Sequence, residues 1–223
     1  MEVQNNKEVI IIIGSPGAGK GTQVKRLLED FGLEYIGSGD LLRARKQKQD
    51  YTGKKIRETI DAGERVPTPV IFKLWMDKLE EFKQNLKLKG FVFDGSPRTT
   101  FEAQMVDWAL EWYGWNKDKK ALFINISEQE AIDRLTKRRV CKNCGRILPY
   151  VGKFKNLEKC DICGGELYTR EDDKIEGIKE RLRWYHEEVL PVVGYYKEKG
   201  ILIEINGEQP IDDVHKEILE KLK

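Results

Sequence analysis

Val9-Ile-Ile-Ile-Ile-Gly-Ser-Pro-Gly-Ala-Gly-Lys-Gly-Thr22 is the stretch on which the fold turns. Its apolar run is too short for a helix of useful length and has no polar alternation, so it reads as a strand buried on both faces. The glycine-rich segment that follows opens an amphipathic helical pattern from Gly21 to Phe31. Strand, glycine-rich turn and helix form the context in which Gly-x-x-x-x-Gly-Lys makes a phosphate-binding loop. Its glycines let backbone N–H groups converge on phosphate oxygens, and the helix N-terminus adds a favourable dipole. Lys20 can then reach the terminal phosphates of a nucleotide. The usual pattern has Ser or Thr directly after the lysine; here Gly21 stands in that place and the hydroxyl comes on Thr22.

Working outward, Phe91-Val-Phe93, Ala121-Leu-Phe-Ile124 and Ile201-Leu-Ile-Glu-Ile205 read as further buried strands. Helical patterns lie between them, over Thr68 to Phe82, Thr99 to Trp112, Glu128 to Arg139 and Lys174 to Lys199. Ser127 with Glu130 predicts a capping box for the third of these. Strands alternating with helices predict an α/β fold, a parallel sheet covered on both faces. Two polar stretches fall outside that alternation and read as insertions. Residues 37–66 have helical pattern and no buried strand, and residues 137–173 are rich in Cys, Gly and charge.

The 223 residues suffice for one well-buried core with small insertions. Forty basic and 38 acidic residues leave a net charge of +2, without the basic excess of a dedicated nucleic-acid binder. No apolar run is long enough for a membrane span and no signal-peptide cleavage pattern is visible, so a cytoplasmic chain is expected. In that reducing setting, cysteines are metal ligands more often than disulfides. Cys141-x-x-Cys144 and Cys160-x-x-Cys163, fifteen residues apart, have the spacing of a structural Zn²⁺ site. Four thiolates close a tetrahedron and leave no position for substrate. The metal would fold a segment too small to carry its own core.

Gly19-Lys-Gly-Thr22, Ser38-Gly-Asp-Leu-Leu-Arg43, Phe93-Asp-Gly-Ser-Pro-Arg-Thr99 and Thr169-Arg-Glu-Asp-Asp173 with Arg181 together resemble the nucleoside monophosphate kinases. The long cysteine-bearing insertion is most similar to that of the adenylate kinase family. The resemblance implies a P-loop three-layer core with a five-stranded parallel sheet over residues 1–36, 67–136 and 174–223. It also implies an acceptor-binding insertion over 37–66 and a zinc-binding lid over 137–173. The implied reaction is reversible phosphoryl transfer from MgATP to AMP, giving two ADP, by a monomer with no nucleic-acid or membrane partner.

The same resemblance implies the site residues. Lys20, Arg43, Arg98, Arg138, Arg170, Arg181 and Asp94 would carry catalysis, with Asp94 orienting Mg²⁺ through its waters. Gly17, Ala18, Gly19, Lys20, Gly21, Thr22, Arg134, Arg138, Ile147, Leu148 and Gln209 would hold ATP. Ser38, Arg43, Glu64, Arg65, Val66, Gly95, Arg98, Glu102, Arg170 and Arg181 would hold AMP. The chemistry agrees with such a set, because an acceptor phosphate is already anionic: positive charge and exclusion of water are needed, and a general base is not. Both histidines, His186 and His215, fall in helical stretches and are expected to be structural or solvated. Two positions depart from the family pattern. Ser96 replaces the usual Phe before Pro97. Glu102 replaces a glutamine that reads the acceptor adenine, and an ionised carboxylate can only accept hydrogen bonds. Two alternatives stay open: a kinase with GTP as donor or another monophosphate as acceptor, and a P-loop protein whose zinc ribbon binds nucleic acid.

Overall fold

The computed structural model describes residues 8–150 and 152–223. The chain enters through β1 (Glu8–Gly14), turns into α1 (Lys20–Phe31) and returns to the sheet as β2 (Glu34–Gly37). The first insertion supplies α2 (Ser38–Arg45) and α3 (Tyr51–Asp61), and α4 (Thr68–Gln84) leads back to the sheet at β3 (Gly90–Asp94). There follow α5 (Thr100–Trp112), β4 (Lys119–Asn125) and α6 (Glu128–Lys137). The second insertion holds β5 (Arg139–Cys141), β6 (Ile147–Leu148) and β7 (Leu167–Tyr168), and α7 (Ile175–Trp184), α8 (Leu190–Glu198), β8 (Leu202–Asn206) and α9 (Ile211–Leu222) complete the chain.

The main sheet is parallel, in the order β2-β3-β1-β4-β8. Its central strand shows why the isoleucine run has to be apolar at every position. Val9, Ile11 and Ile13 face a layer built from α4, α5 and α8, including Trp75, Leu79, Val106, Leu110, Val192 and Tyr196. Ile10 and Ile12 face the opposite layer, where Val24, Leu27, Ala131, Leu135, Ile178 and Ile218 come from α1, α6, α7 and α9. The register sets Ile12 beside Asp94 and Gly14 beside Ile124, so the strand ends meet at one edge of the sheet. That edge carries the phosphate loop.

Four differences from the sequence reading have physical causes. β2 is a four-residue strand at the sheet edge, Glu-Tyr-Ile-Gly, with too little apolar sequence to stand out. The helix expected to run to Arg139 stops at Lys137, because Arg138 adopts an extended backbone and hands the chain to β5. The helical stretch after the lid is interrupted by a π-helical turn over Tyr185–Val189, in which the Leu190 N–H bonds back to the Tyr185 carbonyl. Pro191 follows directly; it has no N–H to donate and its ring displaces the carbonyl one turn before it. The capping box at Ser127 is only half formed. Ser127 Oγ accepts from the Glu130 N–H at 3.3 Å, but Glu130 itself turns to Arg134. The Ser127 N–H goes instead to Glu208, 81 residues away, at 2.7 Å.

Candidate active site

Gly17 and Gly19 both have φ near +85°, a left-handed conformation that side-chain-bearing residues rarely adopt. A Cβ at Gly17 would also lie 3.1 Å from the Ala131 carbonyl oxygen. These two glycines bend the loop back over the start of α1. The Lys20 ammonium donates to the carbonyls of Gly14 and Ser15 at 2.8 and 2.9 Å, spanning the loop. Burial lowers its pKa to about 8; Asp94 opposes that shift, and Arg181, Arg98 and Arg138 add to it. Those three arginines come from three segments distant in sequence, and their fields converge on one lysine.

Asp94 closes β3 beside the loop. The Tyr35 hydroxyl donates to its Oδ2 at 3.2 Å. Burial raises the Tyr35 phenol, and the charges of Asp94 and Asp40 raise it further, so it stays protonated as a donor. On the lid side, Asp173 is fully buried and takes both arms of the Arg138 fork at 2.8 and 2.6 Å. Arg181 Nη1 reaches the same carboxylate at 3.0 Å. Asp172 holds Arg170 at 2.8 and 2.6 Å, and its backbone carbonyl accepts from Arg181. One turn, Glu171–Asp173, thus gathers three arginines.

Beyond β3, Gly95, Ser96, Pro97 and Arg98 line a cleft of about 250 Å³ together with Lys20, Arg65, Arg181, Trp184 and Tyr185. The Arg98 Nε donates to the Gly95 carbonyl at 2.9 Å. Two buried polar atoms in this region, Ser15 Oγ and Arg65 Nε, have no hydrogen-bond partner. Such groups are costly unless a ligand supplies acceptors.

In the lid, the four Sγ atoms lie within 4.8 Å of one another. Cys141 to Cys163 is 3.5 Å and Cys144 to Cys160 is 3.6 Å, too long for a disulfide at about 2.05 Å. Zn–S bonds of about 2.3 Å in a tetrahedron put sulfurs roughly 3.8 Å apart, so the cluster has the size that zinc requires. The knuckles are closed by Gly145 and Gly164, whose N–H groups bond to the carbonyls of Cys141 and Cys160.

A family model described as adenylate kinase matches residues 12–201. A protein named adenylate kinase from Caldicellulosiruptor bescii is 41% identical over 214 residues, covering 96% of this chain and 98% of its own. One from Archaeoglobus fulgidus is 41% identical over 218 residues, covering 96% and 99%. One from Thermosipho africanus is 37% identical over 211 residues, covering 94% and 97%.

The chain belongs to the adenylate kinase family. Its reaction is reversible phosphoryl transfer from ATP to AMP, giving two ADP. Lys20, Arg98 and Arg181 line one cleft, and the charges of Asp94 and Arg138 act on Lys20 from beside it. Arg134 lies against the turn before α9, donating to the Gly207 carbonyl at 2.8 Å, with Gln209 on the same turn. Arg43 is not brought in; it pairs with Asp40 one turn away on α2, and its side chain is 65% exposed. Leu148 is spent on the lid core beside Cys141 and Cys160, whereas Ile147 faces outward. Arg139 and Arg146 are occupied within the lid, Arg146 with Asp161. His215 bridges α9 to Gln23 and Asp30 of α1, and His186 sits exposed near Glu128; neither lines the cleft.

Both departures from the family pattern acquire a structural reason. The Ser96 hydroxyl is hydrogen-bonded to that of Ser38, which also accepts from the Trp75 indole N–H at 3.0 Å. This buried polar chain ties the start of α2 to α4 and to the loop after β3. Glu102 is buried, and both of its carboxylate oxygens are hydrogen-bonded within the protein. Its Oε2 accepts from the Arg98 N–H at 2.7 Å and its Oε1 from the Thr68 hydroxyl at 3.2 Å. Thr99 caps the same helix by accepting from the Glu102 N–H. The sequence reading assigned no role to Asp172, Asp173, Tyr35, Thr68 or Trp184. Only the two aspartates carried a signal, adjacent acids within a motif otherwise read for its arginine.

Proposed function

We propose that ATP lies along the phosphate loop and AMP in the cleft lined by Arg98, with the transferring phosphoryl between Lys20 and the lid arginines. The convergence of Asp94, Arg98, Arg138 and Arg181 on Lys20 is the observation that supports this reading. Gly17 to Thr22 bind the donor phosphates through backbone N–H groups, and Arg134 and Gln209 flank its adenine. Arg98 and Arg43 hold the acceptor phosphate, with Ser38, Gly95 and the 64–66 segment around its nucleoside. For Arg43 this requires release from Asp40. Arg138, Arg170 and Arg181 exchange their aspartate partners for phosphoryl oxygens, neutralising charge as it shifts from donor to acceptor. Glu102 acts through Arg98 and Thr68, setting the acceptor loop from behind.

Asp94 fits a water-mediated Mg²⁺ site, because its carboxylate sits beside the loop with one oxygen steadied by Tyr35. The metal, when bound, spreads negative charge over the donor phosphates. The four cysteines fit structural zinc, which would hold the lid in shape. No helix among the described residues is long and apolar enough to cross a membrane. Free thiols at such a site suit the reducing cytoplasm. Residues 37–66 and 137–173 act as two closing flaps on the core, excluding water during transfer. One chain carries every group the reaction uses.

The test is initial-rate kinetics with AMP, GMP, UMP and CMP, each with ATP and with GTP, on the wild type and Arg98→Ala. The wild type should be fastest with ATP and AMP. Loss of a charged partner costs roughly 2 kcal/mol or more, so Arg98→Ala should raise KM for AMP about 30-fold or more. KM for ATP should stay within about two-fold. An equal rise in both constants would place Arg98 outside the acceptor site.

A further inference from the structure

Arg65 lies in the link between α3 and α4, and its side chain is held by a helix far away in sequence. Its Nη1 donates to Glu188 in an ion pair 123 residues on, with each side chain 33% exposed. The guanidinium carbon also sits 4.9 Å from the centroid of the Trp184 ring. Trp184 ends α7 and Glu188 follows one turn later in the π-helical turn, so one guanidinium meets both. Arg65 and Trp184 line the cleft with Lys20, Arg98 and Arg181. Burial lowers the Arg65 pKa, the Arg98 charge lowers it further, and Glu102 opposes them. Two guanidinium charges on one cleft repel, so a long, partly exposed side chain would swing outward unless something held it. The Arg65 Nε has no hydrogen-bond partner among the described residues. The contacts that fix the group there are the Glu188 carboxylate and the Trp184 ring face.

Resting on the assignment of the Arg98 cleft to AMP, we propose that Glu188 and Trp184 are positioning residues for the acceptor site. They hold Arg65 against the cleft, so that a second cation beside Arg98 faces the incoming monophosphate. Glu188 engages one nitrogen of the guanidinium fork. The other, Nη2, has no protein partner among the described residues and stays free for a phosphate oxygen. The ring carries the cation without taking up a hydrogen bond. A phosphate monoester bears about −1.5 to −2 charges at pH 7, which two cations match better than one. Glu188 does not line the cleft and acts through Arg65. α7 also carries Arg181, three residues before Trp184, so one helix serves the transferring phosphoryl and the acceptor together.

Initial-rate kinetics on the full chain with MgATP and AMP test this, with Arg98→Ala as the reference for the acceptor assignment. Arg65→Ala should raise KM for AMP about ten-fold. Glu188→Gln and Trp184→Leu should each raise it about three-fold or more, and Trp184→Phe, which keeps a ring, should recover most of that loss. KM for ATP should stay within about two-fold in every variant. The double variant Arg65→Ala/Glu188→Gln should be no worse than Arg65→Ala, because Glu188 then has nothing to hold. A KM for AMP that stays unchanged or falls in Glu188→Gln overturns the proposal, as do additive losses in the double variant. An equal rise in KM for ATP assigns these contacts to general stability and also overturns it. If Arg98→Ala shifts AMP while these variants do not, the acceptor site stands and its positioning by Glu188 and Trp184 falls. If Arg98→Ala leaves AMP unmoved, both fall.

Discussion

The core and the cysteine-bearing insertion of this chain are held together by different physics. Around β1, two apolar layers bury side chains from the helices that cover the sheet. In the cysteine-bearing insertion, the buried apolar residues among those described are Val140, Cys141, Leu148 and Cys160, two of which are thiols of the four-cysteine cluster. Its three strands are short, and its junction with the core is a set of arginine–aspartate pairs. Stability in the core rests on buried apolar surface, whereas in the insertion it rests on charge pairs and, on the reading proposed above, on zinc. An element whose closure depends on ligands can open and close as phosphates arrive, and an apolar core of the first kind cannot.

Removing the metal tests the contrast most severely. A structural zinc contributes on the order of 10 kcal/mol to a small domain. Chelation should therefore abolish amide-exchange protection over residues 139–168 while the strands of the main sheet keep theirs. Uniform loss across both regions would break the comparison. Lys20→Ala comes next. Removing one preorganised charge from the proposed transfer site should cost about 10²–10³-fold in kcat, with the main-sheet strands keeping their amide-exchange protection, because its two hydrogen bonds go to the loop carbonyls of Gly14 and Ser15 and not to the core.

A buried charge within the core sharpens the contrast. Asp107 is buried between α5, β4 and α8, paired with Lys119 and Lys199 at 2.8 Å and accepting from Tyr195. Burial alone would raise its carboxyl; hydrogen bonds from Lys119, Lys199 and Tyr195 outweigh that and hold it below 3.8. Its contribution is therefore present above pH 3.8 and lost as pH falls through the lower folded value. Asp107→Asn strands the buried Lys119 ammonium and should cost about 3 kcal/mol near neutral pH, by chemical denaturation. The difference from wild type should shrink in acid.

Lys20 yields a subtler signal. The free amine titrates at about 8, and phosphates restore its charge. ATP binding should then take up about half a proton near pH 8 and almost none near pH 6, seen by calorimetry in buffers of different ionisation heat. Uptake that persists in Lys20→Ala would assign the proton elsewhere. Glu102→Gln is expected to have the smallest effect. Glutamine still accepts from the Arg98 N–H, so KM for AMP should change by less than about three-fold. A large change would show the carboxylate to be a direct reader of the base.

Much of the core could be read directly, because its evidence is local. The isoleucine run, the glycine-rich loop and the helix after it are contiguous, and each element's pattern reports its own burial. The cysteine spacing was legible for the same reason. β2 was not, since an edge strand of four residues needs no apolar run. The π-helical turn depended on how one proline met a preceding helix, and Glu208 displaced the local capping partner of Ser127 from 81 residues away.

The sequence by itself determined the parallel sheet, the phosphate loop and the four-thiol cluster, since backbone propensity, burial period and ligand spacing are all written along the chain. Which charges meet was decided by tertiary structure. Arg138 and Arg181 converge on Asp173, Arg43 stays with Asp40, and Glu102 turns to the Arg98 N–H. A charged side chain selects its partner by distance in space and by desolvation, and neither quantity can be read from position along the chain.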